Sequence, residues 1–333
     1  KQYGPVMSVR MGRQDWVVLG DYETIQQGLV KHGNAFSGRP SIATIDQITE
    51  GHGVLFIDYN DHWKRQRRFG LSTLRGFGVG KRSMEDRITE EVAYLNDAIR
   101  THDGKAFDIQ SILSNAVSNN ICSIVMGRRF DYDDERFKEI MGRLARGYIT
   151  LLSDTQLLQY VRDLFVAGTE TTTSTVRWSL LCLIHNPETQ EKLRKEIFEV
   201  LGTQFSFENK SKMPYTSAFI QEIYRYRTLV PLSVTHMTNE DAHISGYTIP
   251  KGTTIAPNLW AVHNDPEEWD EPNKFKPERH LDAGGNFVQL KHVIPFSVGP
   301  RHCLGEQLAR MEVFIFLVSL VQKFEFLPDP KAT

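Results

Sequence analysis

The stretch Phe296-Ser297-Val298-Gly299-Pro300-Arg301-His302-Cys303-Leu304-Gly305-Glu306 decides how this chain folds. Its cysteine, Cys303, comes directly before an apolar run with helical periodicity, Leu304 to Val321. The unpaired N–H groups at a helix N-terminus carry positive potential, which lowers the pKa of a nearby thiol. The glycines of the stretch let the backbone pass close to a neighbouring group. The pattern therefore favours a thiol of lowered pKa, against the alternative of an ordinary buried cysteine.

This stretch resembles the cysteine-ligand loop of the cytochrome P450 haem-thiolate monooxygenases. Every position that the family motif fixes is present, namely Phe296, Gly299, Arg301, Cys303 and Gly305. The resemblance implies that Cys303 is the axial ligand of a haem iron, because a thiolate supplies the electron density needed to split dioxygen. It also implies that Phe296 covers the sulfur, and that Arg301 meets a haem propionate with its planar fork of donors.

The composition is that of an ordinary globular protein. The chain has 333 residues, of which 40% are hydrophobic and 24% charged, with a net charge of −2. This length allows one large or two moderate domains, and the balanced charge argues against a nucleic-acid partner. Three cysteines fit a reducing compartment better than a disulfide framework. The longest apolar run, Val313 to Val321, is too short to span a bilayer, and no signal peptide is visible at Lys1.

A helix predicted from Asp61 to Gly76 carries Trp63 and Arg67, which project from one face because they are four residues apart. This pair resembles the family's propionate-binding Trp-x-x-x-Arg motif, although alone it is more often a stacked surface pair. The same region is strongly basic. It is either a solvated face or a docking patch for an acidic electron donor. Its members are Lys64, Arg65, Arg68, Arg75, Lys81 and Arg82.

The segment from Asp154 to His185 predicts one long helix, apolar nearly all round and therefore buried. Its centre, Ala167-Gly168-Thr169-Glu170-Thr171-Thr172, resembles the family's oxygen-activation motif. Gly168 leaves room for a diatomic ligand. Glu170 and Thr171 form an acid–alcohol pair that can relay protons, while the hydroxyls of Thr171 and Thr172 can bond back to helix carbonyls and open a groove. The alternative is a Thr-rich buried helix with a packing glycine.

A second helix, Pro214 to Thr228, contains Glu222 and Arg225 at a spacing that places them on one face. The pair resembles the family's Glu-x-x-Arg motif. Its usual third partner is the arginine of a Pro-Glu-Arg segment, which is Arg279 here, followed by His280 where an aromatic residue is commoner. The resemblance implies a structural triad of Glu222, Arg225 and Arg279 that locks the core behind the haem.

The chain leaves that helix through Pro231 and, by resemblance, passes beside the haem. His236 stands where a propionate-binding residue is expected, and an exposed turn histidine is the alternative. The implied pocket lining is apolar. It comprises Ile42–Val54, Phe165, Ala167, Leu229, Val230, Leu232 and Val234.

The five motifs appear in the family's order, and several segments are most similar to the animal microsomal members grouped as family 2. The resemblance implies a single catalytic domain over 1–333, mainly α with a small β region. Haem b, iron protoporphyrin IX, would lie between the long central helix and the Cys303 loop. We expect an N-terminal membrane anchor, a substrate-roof segment near 148–154 and the C-terminal end to be missing from this sequence. The roof segment is either deleted or simply not included.

The implied reaction inserts one oxygen atom of O2 into a hydrophobic small molecule: a steroid, a sterol-derived compound, a fatty acid or a xenobiotic. Electrons would come from NADPH through NADPH–cytochrome P450 reductase, with cytochrome b5 as a further partner. The implied location is the endoplasmic reticulum membrane, with the catalytic domain on the cytoplasmic side.

Three other functions stay open. One is a haem-thiolate isomerase or dehydratase, although such members commonly lose the acid–alcohol pair. Another is a non-catalytic haem or ligand carrier, favoured if the roof is truly absent. The third is thiol catalysis by Cys303 with His302, which is poor because adjacent residues rarely point at each other and no orienting acid is evident.

Overall fold

Helices carry most of the chain in the computed structural model, which describes residues 3–146, 155–202 and 207–331. The helices are α1 (Tyr22–Gln26), α2 (Ala43–Thr49), α3 (Asp61–Gly76), α4 (Arg82–Arg100), α5 (Gln110–Val125), α6 (Glu135–Arg146), α7 (Thr155–His185), α8 (Pro187–Leu201), α9 (Pro214–Tyr226), α10 (Leu259–Asn264) and α11 (Glu306–Lys323). Two 3₁₀ helices lie between them in the chain: Phe207–Lys212 between α8 and α9, and Pro277–His280 between α10 and α11. α3 has the predicted bounds, because Asn60 caps its N-terminus by accepting the Trp63 N–H.

A small β region lies beside the helices. β1 (Val6–Met11), β2 (Gln14–Leu19), β3 (His236–Met237) and β6 (Thr254–Pro257) form one sheet in the order β1-β2-β6-β3. β4 (Ala242–Ile244) and β5 (Tyr247–Ile249) form a separate antiparallel hairpin. β2 and β6 are parallel, so the N-terminal hairpin is joined to a segment more than 200 residues away. The prediction of a mainly α fold with a small β region is confirmed.

The core surrounds α11 and α7. α11 is buried on every side between Val313 and Val321, and it packs against α4, α7, α8 and α9. Such all-round burial explains why its sequence has no polar face. A second, smaller apolar cluster joins the sheet to α1 and contains Leu19, Ile25 and Phe36. The Cys303 loop connects the two clusters, because Phe296 packs on the first and Val298 on the second.

α1 ends at Gln26, and a π-helical turn, Gln27–Lys31, follows it. This turn meets the ligand loop. Gly299 has a φ of +80°, and a Cβ added there would overlap the carbonyl oxygen of Leu29. Only glycine fits both the conformation and the contact. π turns of this kind are frequent at functional sites.

Two further segments bear on the predicted pocket. The implied pocket-lining range Ile42–Val54 contains α2. The predicted roof segment near 148–154 lies outside the described residues. Among the helices of the described ranges, none is both long and apolar enough to cross a membrane.

Candidate active site

Cys303 lies in a tight turn three residues before α11. Its N–H donates to the Phe296 carbonyl at 2.9 Å, and the His302 N–H donates to the Gly299 carbonyl at 3.1 Å. These two bonds fix the backbone on either side of the sulfur. The motif residues therefore form one rigid loop.

The Cys303 side chain is exposed, although protein surrounds it closely enough for burial to raise the pKa of its thiol. The Gly305 N–H and the charge of Arg67 oppose that rise. A sulfur that is both exposed and enclosed faces an internal cleft. The lowering of the Cys303 pKa expected from the helix N-terminus is therefore outweighed by desolvation in the free thiol.

Arg301 lies buried beside this loop with part of its guanidinium unpaired. Its Nε donates to the Ser37 carbonyl at 2.9 Å and its Nη2 to the Ile57 carbonyl at 2.8 Å, while its buried Nη1 makes no hydrogen bond in the described structure. The guanidinium stacks 4.0 Å from the Trp63 ring. Burial, with Arg39 close by, lowers the pKa of Arg301 to about 8. A buried cation with a free donor is a place for an anion.

Two more arginines and a histidine lie close to Arg301. Arg39 is 7% exposed and donates to the carbonyls of Leu55 and Thr235, and burial together with Arg67 lowers its pKa to about 10. Arg67 donates to the His302 carbonyl at 2.7 Å.

His236, 2% exposed, is held by the Phe36 carbonyl, and burial with Arg39 nearby lowers its pKa well below the ordinary value. We call Arg39, Arg67, His236 and Arg301 the cationic cradle. Arg67 lowers the pKa values of Arg39 and Arg301, Arg39 also lowers that of Arg301, and Asp58 only partly offsets this. An anionic group would fit the cradle, and the carboxylates of a haem are such groups. Arg39 was not predicted from the sequence as a site residue.

The loop of residues 53–57 ties the cradle to α7. Trp63 Nε1 donates to the Val54 carbonyl at 3.0 Å, so this N–H, predicted to meet a propionate, has a protein partner here. The N–H groups of Val54 and Leu55 donate to one oxygen of Asp163 on α7, at 2.7 and 3.0 Å. Gln159 donates to the other oxygen at 2.9 Å. Burial raises the pKa of Asp163, and the two backbone bonds oppose the rise.

The oxygen-activation motif lies at the centre of α7. The Thr171 hydroxyl donates to the Ala167 carbonyl at 2.6 Å, as the sequence predicted. Ala167 and Glu170 are exposed, and Glu170 accepts from the Ser174 hydroxyl at 3.0 Å. The acid and the alcohol of the motif therefore reach open space on the same turn of the helix.

Gly168 and Thr172 both contact neighbouring helices. A Cβ at Gly168 would lie 3.0 Å from the Ile121 side chain, so this glycine allows the close packing of α7 on α5. The role of Gly168 in leaving room for dioxygen stays a prediction. The Thr172 hydroxyl donates to Glu312 of α11 at 3.3 Å instead of to a helix carbonyl. Glu312 is 1% exposed, accepts from Asn120 at 3.0 Å, and has its pKa raised to about 8 by burial.

The predicted pocket lining is partly corrected. Leu229, Val230 and Leu232 are exposed and Val234 is half-buried, as open pocket walls would be. Phe165, however, is 2% exposed and belongs to the helical core. Val166 is 49% exposed instead. Phe165 and Ala167 cannot both face the pocket, because residues two apart on a helix lie on nearly opposite faces. Ala167 is exposed and Phe165 is buried.

The predicted triad forms. Both oxygens of buried Glu222 accept from Arg225, at 2.7 and 2.8 Å, and one also accepts from Arg279 at 3.1 Å. Burial works to raise the pKa of Glu222, but these bonds outweigh it and hold the pKa below its ordinary value. His280 joins as a fourth member through an Nε2 contact of 2.9 Å. This explains why a histidine replaces the commoner aromatic residue.

Comparison with known proteins connects this geometry to one family. The family described as "Cytochrome P450" matches residues 1–148 and 144–333. Human "Cytochrome P450 2U1" is 37% identical over 404 residues, which cover 98% of this chain and 74% of the relative. "Cytochrome P450 2K4" of Oncorhynchus mykiss is 34% identical over 100% of this chain and 81% of the relative. "Cytochrome P450 2D6" of Pan troglodytes is 35% identical over 98% and 81%.

These alignments are longer than the chain. The comparison with the human relative runs over 404 residues, whereas the chain has 333. The family match also falls into two pieces that meet at 144–148. The relatives thus carry residues that have no counterpart in this sequence.

Proposed function

Because the chain belongs to the cytochrome P450 family, whose members are monooxygenases of the oxidoreductase class, we propose that it inserts one oxygen atom of O2 into a hydrophobic small molecule. The substrate classes are steroids, sterol-derived compounds, fatty acids and xenobiotics. The observation that carries the proposal is the cationic cradle, whose unpaired Arg301 donor lies beside the loop of an exposed cysteine.

The residues of the cleft fit a haem. Cys303 would be the thiolate ligand of the iron, and Arg39, Arg67, His236 and Arg301 would hold the two propionates. When bound, the haem supplies the iron that binds and reduces dioxygen, and a metal-bound thiol is deprotonated outright. Cys303 would thus bind as a thiolate, although burial raises the pKa of its free thiol.

Proton delivery falls to the turn of α7 that carries Thr171. Its hydroxyl is anchored to the Ala167 carbonyl, which fixes the oxygen in one rotamer facing the exposed side of the helix. Glu170 is exposed one residue earlier and can exchange protons with solvent. The pair can therefore hold a proton at the Thr171 oxygen and replace it after transfer. This pair favours oxygen activation over the isomerase or dehydratase alternative.

The substrate would lie against apolar side chains. Val166 and Ala167 present an exposed apolar face of α7, and Leu229, Val230 and Leu232 present another after α9. Apolar walls exclude water and bind a hydrophobic molecule without fixing its identity.

Electrons would enter across the basic surface of α3 and the turn after it. All six of its cationic residues are exposed, and the exposed Phe69 and Phe77 lie among them. Lys64 is paired with Asp61 at 3.2 Å, which leaves most of the positive charge uncompensated. An acidic flavoprotein, NADPH–cytochrome P450 reductase, and cytochrome b5 fit this surface by charge. We place the protein at the endoplasmic reticulum membrane, with an N-terminal anchor and its catalytic domain on the cytoplasmic side.

The first experiment is the optical spectrum of the purified, reduced protein under carbon monoxide. Wild type should show the strongly red-shifted Soret band of a thiolate ligand. Cys303→Ser should lose that band, whereas Cys182→Ser, a buried cysteine on α7, should keep it. A thiolate-type band that survives in Cys303→Ser would refute the ligand assignment.

Thr171→Ala tests the reaction class. The variant should bind haem and substrate but divert reducing equivalents to hydrogen peroxide, because the proton source is gone. Thr175→Ala removes a similar hydroxyl one turn further on, which donates to the Thr171 carbonyl, and should stay coupled. Product formation without any consumption of O2 would establish the isomerase or dehydratase alternative.

A further inference from the structure

A small, partly open cavity lies beside α9 and α11. It is bounded by α9, by the 3₁₀ helix Phe207–Lys212, by α11 and by the loop that carries Gln289. Its volume is about 100 Å³. This is room for one small ion with a few waters, and too little for a nucleotide or a lipid.

Two buried hydrogen-bond donors on α9 line the cavity without a partner. Gln221 is 2% exposed and Tyr224 is 6% exposed. The Gln221 Nε2 and the Tyr224 hydroxyl make no hydrogen bond in the described structure. Buried polar atoms are almost always paired, so two orphans in one cavity indicate a missing acceptor.

Two cationic side chains, those of Lys210 and Arg310, also line the cavity. Lys210 makes no ion pair with a carboxylate of the described ranges, and its Nζ lies 5.4 and 5.6 Å from the ring centres of Phe207 and Phe314. Arg310 is held on one side by Glu306, which accepts from its Nε at 2.9 Å. Burial, with Arg310 close by, lowers the pKa of Lys210. The cavity thus joins a positive potential to donors that lack an acceptor.

We propose that this cavity binds a tetrahedral oxyanion of the phosphate class. Its oxygens would accept from the Lys210 ammonium, the Arg310 guanidinium, the Gln221 amide and the Tyr224 hydroxyl. A negatively charged acceptor would both accept hydrogen bonds from the unpaired Gln221 and Tyr224 donors and neutralise the Lys210 ammonium. Water would leave the charge uncompensated, and an apolar ligand would leave the donors unpaired.

Two residues that line this cavity, Tyr224 and Arg310, also contact Phe296 of the Cys303 loop. The Tyr224 ring lies 5.3 Å from the Phe296 ring, and the Arg310 guanidinium lies 4.8 Å from it. A bound anion would therefore fix two side chains that pack on the first residue of the ligand loop. Binding itself requires no turnover, so the proposal is tested independently of the proposed reaction.

The test is calorimetric titration of the haem-loaded protein with inorganic phosphate, with chloride at matched ionic strength as the background. Wild type should bind phosphate saturably and unfold at a higher temperature in its presence. Lys210→Gln should weaken binding by at least about tenfold, the loss of one charge-assisted contact. Lys212→Gln makes the same charge change on an exposed side chain two residues away and should bind like wild type.

If Lys210→Gln folds poorly, two variants that each remove one uncharged donor still test the proposal. Tyr224→Phe removes only the hydroxyl and Gln221→Leu only the amide, and each should weaken phosphate binding severalfold. Glycerol phosphate separates the sources of the group: equal affinity indicates an ester headgroup, and much weaker binding indicates a free anion. The proposal fails if phosphate and chloride give the same heats, or if both α9 variants bind phosphate as wild type does.

Discussion

Replacing Glu312 by glutamine should change how stability depends on pH. Glu312 is 1% exposed, and burial raises its pKa to about 8 from an ordinary value of 4.5. Between these values the folded protein holds a proton that the unfolded chain has released. Wild-type stability therefore falls as pH rises through this window, by about 1.4 kcal/mol per pH unit for one group, and levels off above the folded pKa.

Glutamine has the shape of the protonated acid and cannot ionise. It can still accept from Asn120 and bond to Thr172, whose contacts with Glu312 measure 3.0 and 3.3 Å. Relative to wild type, Glu312→Gln should gain stability as pH rises. Between about pH 5 and about pH 8 the gain should reach roughly 3 to 4 kcal/mol.

The assay is urea unfolding of both haem-loaded proteins at several pH values, since haem release is common to the pair and cancels in the difference. Glu325→Gln, which changes an exposed carboxylate just after α11, is the control and should show no such trend. The infrared band of a protonated carboxyl group should be present in wild type at neutral pH and missing in Glu312→Gln. A constant stability difference across this pH range would refute the reasoning.

Three further substitutions test the support of the site. Glu222→Gln leaves Arg225 buried without its charge partner, so unfolding should become easier by about 3 to 5 kcal/mol, with a matching fall in haem-loaded yield. Asp163→Leu removes the acceptor of two backbone N–H groups, at about 1–3 kcal/mol each, and should speed haem transfer to apomyoglobin, whereas Asp163→Asn keeps an acceptor and should not. Gly299→Ala drives a Cβ into a carbonyl of the π turn and should abolish the thiolate spectrum, while Gly76→Ala, which meets nothing within 4 Å, should be silent.

The sequence predicted those parts of the site that form local patterns. The loop around Cys303, the pair of Glu222 and Arg225, and the bounds of α3 follow from spacing over a few residues and from a cap. The main fold class followed from the same patterns, because helical periodicity dominates the chain.

Residues whose partners are distant in sequence were missed. Arg39 binds the carbonyl of Thr235, 196 residues away, and Glu312 binds Asn120, 192 residues away. The partner of Arg39 is a main-chain carbonyl, and a sequence pattern does not show which carbonyl a side chain will meet. Glu312 is a single acid inside an apolar helix, so it produces no periodic pattern. The error at Phe165 had another cause, since the helical face was assigned without fixing its rotation, which packing against α5 and the core decides.

The loop of residues 53–57 is held almost entirely by its backbone. Its N–H groups bind side chains of α7, and its carbonyls bind Trp63, Arg39 and Arg301. Gly53 is the exception, because a side chain there would overlap Asp163. Ile57 is also constrained, because its side chain is buried. The half-buried side chains of Val54, Leu55 and Phe56 make none of these hydrogen bonds, so they can change without breaking them. Natural variation or directed evolution can reshape this part of the pocket for new ligands while the cationic cradle stays intact.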